Sequence, residues 1–196
     1  MAVKVLWKQW RALLADPRTL LIVFAVPFAF LYALPGFGSR TFPALMITYV
    51  LFGLQSTSSD SLNIRAGLTQ FPVSVRDHVL GLFLYQVSAV LAAGGIAAAY
   101  VAIAGPAVSL PEVMPKSIGL GLLLAGLIPL LGLWLRPEIA RVVNMVLVIL
   151  GLNLVIFQGV DQEAFMPFIS APAALLAGAA FWGLSLGAGL MFPPRM

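Results

Sequence analysis

Residues 79–104, 117–135 and 171–192 contain no charged side chain. Stretches this long leave few choices of structure. About twenty helical residues rise ~30 Å, the thickness of the hydrocarbon core of a bilayer. In lipid, only a helix or a closed barrel satisfies its own backbone hydrogen bonds. The short alternating strands of a barrel are not visible in this sequence. Composition argues against water as the main solvent. Only 9% of the residues are charged and 61% are hydrophobic, whereas an ordinary soluble domain carries roughly 25% charged residues. The expected fold is therefore all-α: a polytopic membrane protein forming a single domain over residues 1–196.

Start and stop signals divide the chain into about six expected spans. Asp16 and Pro17 suit a helix cap and first helical position, so the first span is expected over about 19–35. The others are expected over about 43–57, 75–104, 117–135, 138–158 and 171–192. Gly105-Pro106 ends the third, Arg136-Pro137 separates the fourth from the fifth, and Pro193-Pro194 ends the sixth. The second and fifth are marginal by the length ruler. Pro27 and Pro129 fall within the first and fourth and are expected to kink them.

Six spans put the N-terminus, the second and fourth loops and the C-terminus on one side. That side holds nine of the 11 basic residues: Lys4, Lys8, Arg11, Arg18, Arg65, Arg76, Arg136, Arg141 and Arg195. The other side holds Arg40 and Lys116, with Asp161 and Glu163. Basic loops stay cytoplasmic, so both termini are expected in the cytoplasm. The chain is therefore expected to be a multi-pass membrane protein. The N-terminal run lacks a cleavage site of small residues and does not read as a signal peptide.

Residues 1–16 show helical patterning. Val3, Leu6, Trp7, Trp10, Leu13 and Leu14 share one face, and Lys4, Lys8 and Arg11 share another. Such a helix is expected at the bilayer interface, with Trp7 and Trp10 at headgroup depth and the cations near anionic lipid. It is either a plain anchor or an elbow that moves with a transport cycle.

The second loop carries the most local information. It contains Asp60, Asn63 and Arg65, then Phe71-Pro72-Val73-Ser74-Val75-Arg76-Asp77-His78. Pro72 breaks any preceding helix. Ser74 with Asp77 three residues on fits a capping box, the aspartate standing in for the usual Glu or Gln. A helix start is therefore expected at Val75.

Residues 60–85 resemble the core of the type-2 ABC transporter permeases, especially the small bacterial exporter subunits. In that family an acidic residue and an asparagine precede a Leu-Pro-Val-Ser-Arg turn and a long third helix. Here Asp60 and Asn63 have that spacing, Phe71 replaces the leucine, and Arg76 is displaced by one residue. The local match covers about 25 residues, and the elbow helix and six spans extend the likeness to the whole chain. The resemblance implies one half of a translocation pathway, completed by a second permease chain, identical or related. Residues 58–74 would form a cytoplasmic coupling segment that docks on a separate ATP-binding subunit. Its candidate contacts are Asp60, Asn63, Arg65, Pro72, Ser74 and Arg76. The Pro-Val-Ser turn favours an exporter of drugs, peptides or lipids over a haem-export permease of similar size. A non-ABC channel or assembly factor is the alternative from a different class.

The remaining residues exclude more than they assign. No Gly-rich phosphate loop with Lys and Ser/Thr is present, so ATP and magnesium are expected on the partner, and this chain is not expected to be an enzyme or to bind a cofactor. One histidine, His78, and no cysteine leave no two-histidine or thiolate metal site. The net charge of +4 is spread along the chain and forms no face for nucleic acid. Paired carboxylates for proton coupling are missing from the spans. Gln55, Asn144, Asn153 and Gln158 are candidate polar residues of a pathway or bonds between helices. Asn144 and Asn153 are nine residues apart and are expected on opposite faces of one helix. Gly94, Gly95, Gly119, Gly121, Gly126, Gly183, Gly187 and Gly189 are expected at close helix contacts. Few charges in the spans favour an amphipathic or hydrophobic cargo.

Overall fold

A computed structural model describes residues 2–15, 17, 21, 25–26, 28–29, 42–57, 74–104, 110–135, 137–161 and 169–192. The described residues form helices and the turns beside them. They comprise α1 (Ala2–Leu14), α2 (Phe42–Thr57), α3 (Val75–Ala104), α4 (Leu110–Trp134), α5 (Pro137–Asp161) and α6 (Ala171–Met191). Three helical segments among them are long and apolar enough to cross a membrane: Val75–Ile103, Val113–Trp134 and Ala171–Met191. The expected first span falls mostly outside the described residues.

Most helix ends follow the local signals. α3 begins where Ser74 caps it and ends at Ala104, just before Gly105-Pro106. α5 opens on Pro137, whose missing N–H has no role in the first turn. α4 departs from expectation. It starts at Leu110, seven residues before the predicted Ser117, and contains Pro115 as well as Pro129. Prolines tolerate a helix's first turn, so Pro111 is no barrier. Lys116, expected in a loop, consequently lies in the second turn of α4 and is 4% exposed.

Contacts show how the helices alternate in direction. Phe42 of α2 packs on Tyr100 of α3 (ring centroids 4.8 Å apart), and a Cβ on Gly94 would lie 3.7 Å from Ile47. Thus α2 and α3 are antiparallel. Gly94 lies beside Met114 and Ile118, and Gly121 lies beside Val90, so α3 and α4 are antiparallel too. Gly151 of α5 faces Leu124, and Asn144 reaches Ile128, which reverses direction again. α6 runs parallel to α4: Gly119 meets Ala174, Gly126 meets Trp182, and Leu133 meets Gly189. A chain crossing a layer repeatedly needs this alternation.

α4 is the central element, packed against α2, α3, α5 and α6. Its tightest neighbour is α6. At Gly119 and Gly178 a Cβ would run into backbone atoms of the facing helix. Glycine therefore sets how closely these two axes approach. Gly95, Gly183 and Gly187 depart from the expected role, since a Cβ at any of them would meet nothing within 4 Å. They lie on outward faces, where no neighbouring helix demands a small residue. The main core joins Met46, Ile47, Val50 and Leu51 of α2 to Ala89, Val90, Ala93 and Ala97 of α3 and to Leu124, Ala125 and Ile128 of α4.

Candidate functional site

The head of α3 is built by its cap. Ser74 Oγ accepts from the Asp77 backbone N–H at 3.1 Å, and the Ser74 hydroxyl donates to Asp77 Oδ2 at 2.7 Å. The His78 N–H donates to the Ser74 carbonyl at 3.0 Å and closes the first turn. A shorter Asp in the Glu position leaves its second oxygen pointing elsewhere. Asp77 Oδ1 accepts from the Ala2 backbone N–H at 3.3 Å, which ties the start of α1 to the start of α3.

α1 then follows α3 in the same direction. Val5 packs on Gly81, where a Cβ would lie 2.6 Å from the Val5 Cβ. Trp10 sets its ring edge-on to Tyr85 at 5.6 Å and donates from Nε1 to Ser88 Oγ at 2.9 Å. Contact thus persists over several turns of both helices. The single apolar face expected for α1 divides in two. Ala2, Val5 and Leu13 are buried, with Leu6 and Trp10 packed beside them. Val3, Trp7 and Leu14 face outward. Lys4, Lys8 and Arg11 are exposed next to that outer stripe, and the Arg11 guanidinium lies 5.5 Å from the centre of the Trp7 ring. The reason for the division is that α1 meets a helix on one side, and a helix has room for only part of an apolar arc this wide.

The bundle has two chemically different ends. The starts of α1, α3 and α5 bring Lys4, Lys8, Arg76 and Arg141 to one end. The opposite end holds the start of α4 with Lys116 and an aromatic cluster of Phe28, Phe42 and Tyr100, whose ring centres lie 4.8–5.3 Å apart.

Of the residues expected to couple to a partner, Ser74 and Arg76 sit at the head of α3, and Arg76 is exposed. Asp60, Asn63, Arg65 and Pro72 lie outside the described residues. Among the expected pathway residues, Asn144 is 1% exposed and donates from Nδ2 to the Ile128 carbonyl of α4 at a long 3.5 Å. Asn153 is exposed and donates to the Ile149 carbonyl of its own helix at 2.8 Å, so the two asparagines do take opposite faces. Gln55 and Gln158 fall within α2 and α5, but their side chains lie outside the described residues.

A further polar residue escaped the sequence reading. Gln86 of α3 is 3% exposed, and its Oε1 has no hydrogen-bond partner among the described residues. Gln86 shares a helical face with Phe83 and Val90, both fully buried, but α3 is apolar on every side and its spacing alone does not mark that face as inward. Asn144 Oδ1, His78 Nε2 and Trp182 Nε1 are likewise buried without partners. Thr48 and Ser117 are satisfied within their own helices, donating to the Ala44 and Val113 carbonyls at 2.8 and 2.9 Å. Buried groups left unpaired cost about 1–3 kcal/mol each, so those at Gln86 and Asn144 mark the place in the bundle where packing alone does not explain the residue type.

No protein-family model matches the chain, and neither a curated protein nor a solved structure matches it.

Proposed function

We propose that this chain is the membrane permease subunit of an ABC-type exporter. Two such chains, identical or related, form the pathway, and a separate ATP-binding subunit that holds ATP and magnesium drives them. The protein resides in the bacterial inner membrane with both termini cytoplasmic, and residues 58–74 dock on the motor.

The observation that carries this reading is the construction of the head of α3. A motor that closes on ATP must pass its movement to the membrane through a stiff element. α3 has 30 residues, or about 45 Å at 1.5 Å per residue, against a ~30 Å hydrocarbon core. The surplus of about ten residues lies beside α1. Its first turn is capped by Ser74, locked by Asp77 and braced by α1. Force applied just before Ser74 therefore moves α1 and α3 together. The sequence Phe71-Pro72-Val73-Ser74, which resembles that of the type-2 permeases, leads to this point. The basic residues gathered at the same end support its cytoplasmic placement. α1 runs beside α3 from Asp77 to Ser88, and its outer stripe of Val3, Trp7 and Leu14 with flanking cations suits a face that meets lipid near the basic end.

The tagged chain, purified from its native membrane, should bring an ATP-binding subunit with it. Pro72→Ala and Arg65→Glu should still insert but should uncouple hydrolysis from transport, with the pair's affinity falling roughly tenfold for the charge reversal. Wild-type coupling in both variants, or a native complex without a nucleotide-binding partner, would remove the proposal.

A further inference from the structure

We infer that the turn of α4 around Pro129 is a binding site for an uncharged hydrogen-bond donor, a hydroxyl or amide group carried by an otherwise apolar molecule. The inference rests on the permease reading only in naming that molecule as cargo.

Register places the groups. Val90 lies beside Gly121, while Val79 and Phe83 cluster with Leu133. α3 and α4 are antiparallel, so Gln86, between Phe83 and Val90, is level with Ala125 to Pro129. Asn144 of α5 reaches Ile128 and shares that level. The level lies in the second half of the Val113–Trp134 span, nine to five residues from its end. α2 packs against α3, α4 and α5 and closes the group. Two buried oxygens without donors, Gln86 Oε1 and Asn144 Oδ1, thus stand at one depth on helices that flank the same turn. A third acceptor belongs to α4 itself. Pro129 has no N–H to give the Ala125 carbonyl.

The chemistry of the guest follows by elimination. An anion would meet two or three acceptors against one orphaned donor, Trp182 Nε1 of α6, whose Cα lies beside Gly126. A full cation would enter an apolar layer without a counter-charge, because no carboxylate occurs among the buried polar residues Thr48, His78, Gln86, Lys116, Ser117, Asn144 and Ser185. A neutral O–H or N–H donor satisfies the orphaned oxygens at no charge cost. The surrounding Val90, Leu124 and Ile128 suit its alkyl part.

The test uses the full chain alone in phosphatidylcholine nanodiscs, with three photoreactive probes. They share one alkyl chain and end in a hydroxyl, an ammonium or a carboxylate, and cross-linked peptides are mapped by mass spectrometry. The alcohol should label α3 and α4 around Gln86 and Ala125, roughly fivefold above the two charged probes. Gln86→Leu combined with Asn144→Leu should abolish that preference, and Asn153→Leu should keep it. Equal labelling by the three heads, labelling confined to the exposed α6 surface at Leu176 and Leu184, or an undiminished preference in the double variant would overturn the inference. The head-group series on the unaltered chain decides the matter even if the double variant fails to fold. No ATP-binding subunit is present, so a negative result leaves the permease proposal standing, and a missing motor leaves this binding result standing.

Discussion

The two sides of α4 solve different problems. Toward α6 it presents Gly119 and Gly126, and backbone lies against backbone with Gly178 opposite. Toward α3 and α5 it presents the turn at Pro129, level with Gln86 and Asn144. The first side is a seam: small residues, close axes and many weak contacts. The second holds unpaired acceptors in a place where an apolar residue of the same size would be more comfortable. The seam adds close packing to the core that α4 shares with α2 and α3, whereas the polar level costs stability and is explained by what it binds. The contrast also separates two kinds of glycine. Gly119 and Gly178 are indispensable, while Gly183 and Gly187, on the same α6, meet open space.

Substitutions can break or sharpen this contrast. The largest effect is expected at the seam. Gly178→Leu forces α6 away from the Gly119 backbone and should cost about 3 kcal/mol or more, measured by denaturant unfolding in micelles. An equal cost at Gly183→Leu would erase the distinction between the two glycine classes. Next in size is Gln86→Leu, which removes a buried orphaned oxygen and should raise stability by about 1 kcal/mol. A clear loss would mean that Gln86 is a structural residue and not part of a site. The smallest effect is expected on the outer face of α5. Asn153→Leu should change stability by less than about 0.5 kcal/mol, because its amide bonds only to its own helix.

Much of the helix plan was legible from one dimension. The start at Val75 followed from Ser74 and Asp77 and the end at Ala104 from Gly105-Pro106, while the fifth span, expected just after Arg136-Pro137, starts one residue earlier, on Pro137 itself. These are local signals, formed within a single turn. The opposite faces of Asn144 and Asn153 were legible too, since helical periodicity alone sets them. Three readings needed neighbours. α4 begins at Leu110, with Pro115 past its first turn, because Leu110 and Val113 pack on the main core and Met114 lies beside Gly94 of α3. Gln86 is inward because α3 has partners along that face. α1 shows two apolar stripes because α3 covers one of them.

What one dimension determined, then, is that the chain is helical and apolar enough for lipid, where most of its helices begin and end, and that its basic residues favour one side. Each of these depends on residues within a few positions of one another or on counting. The tertiary structure decided which glycines touch backbone, which polar groups are left without partners, and how α1 joins α3. Those outcomes depend on which helices become neighbours and at what register, and that arises only when distant segments pack together.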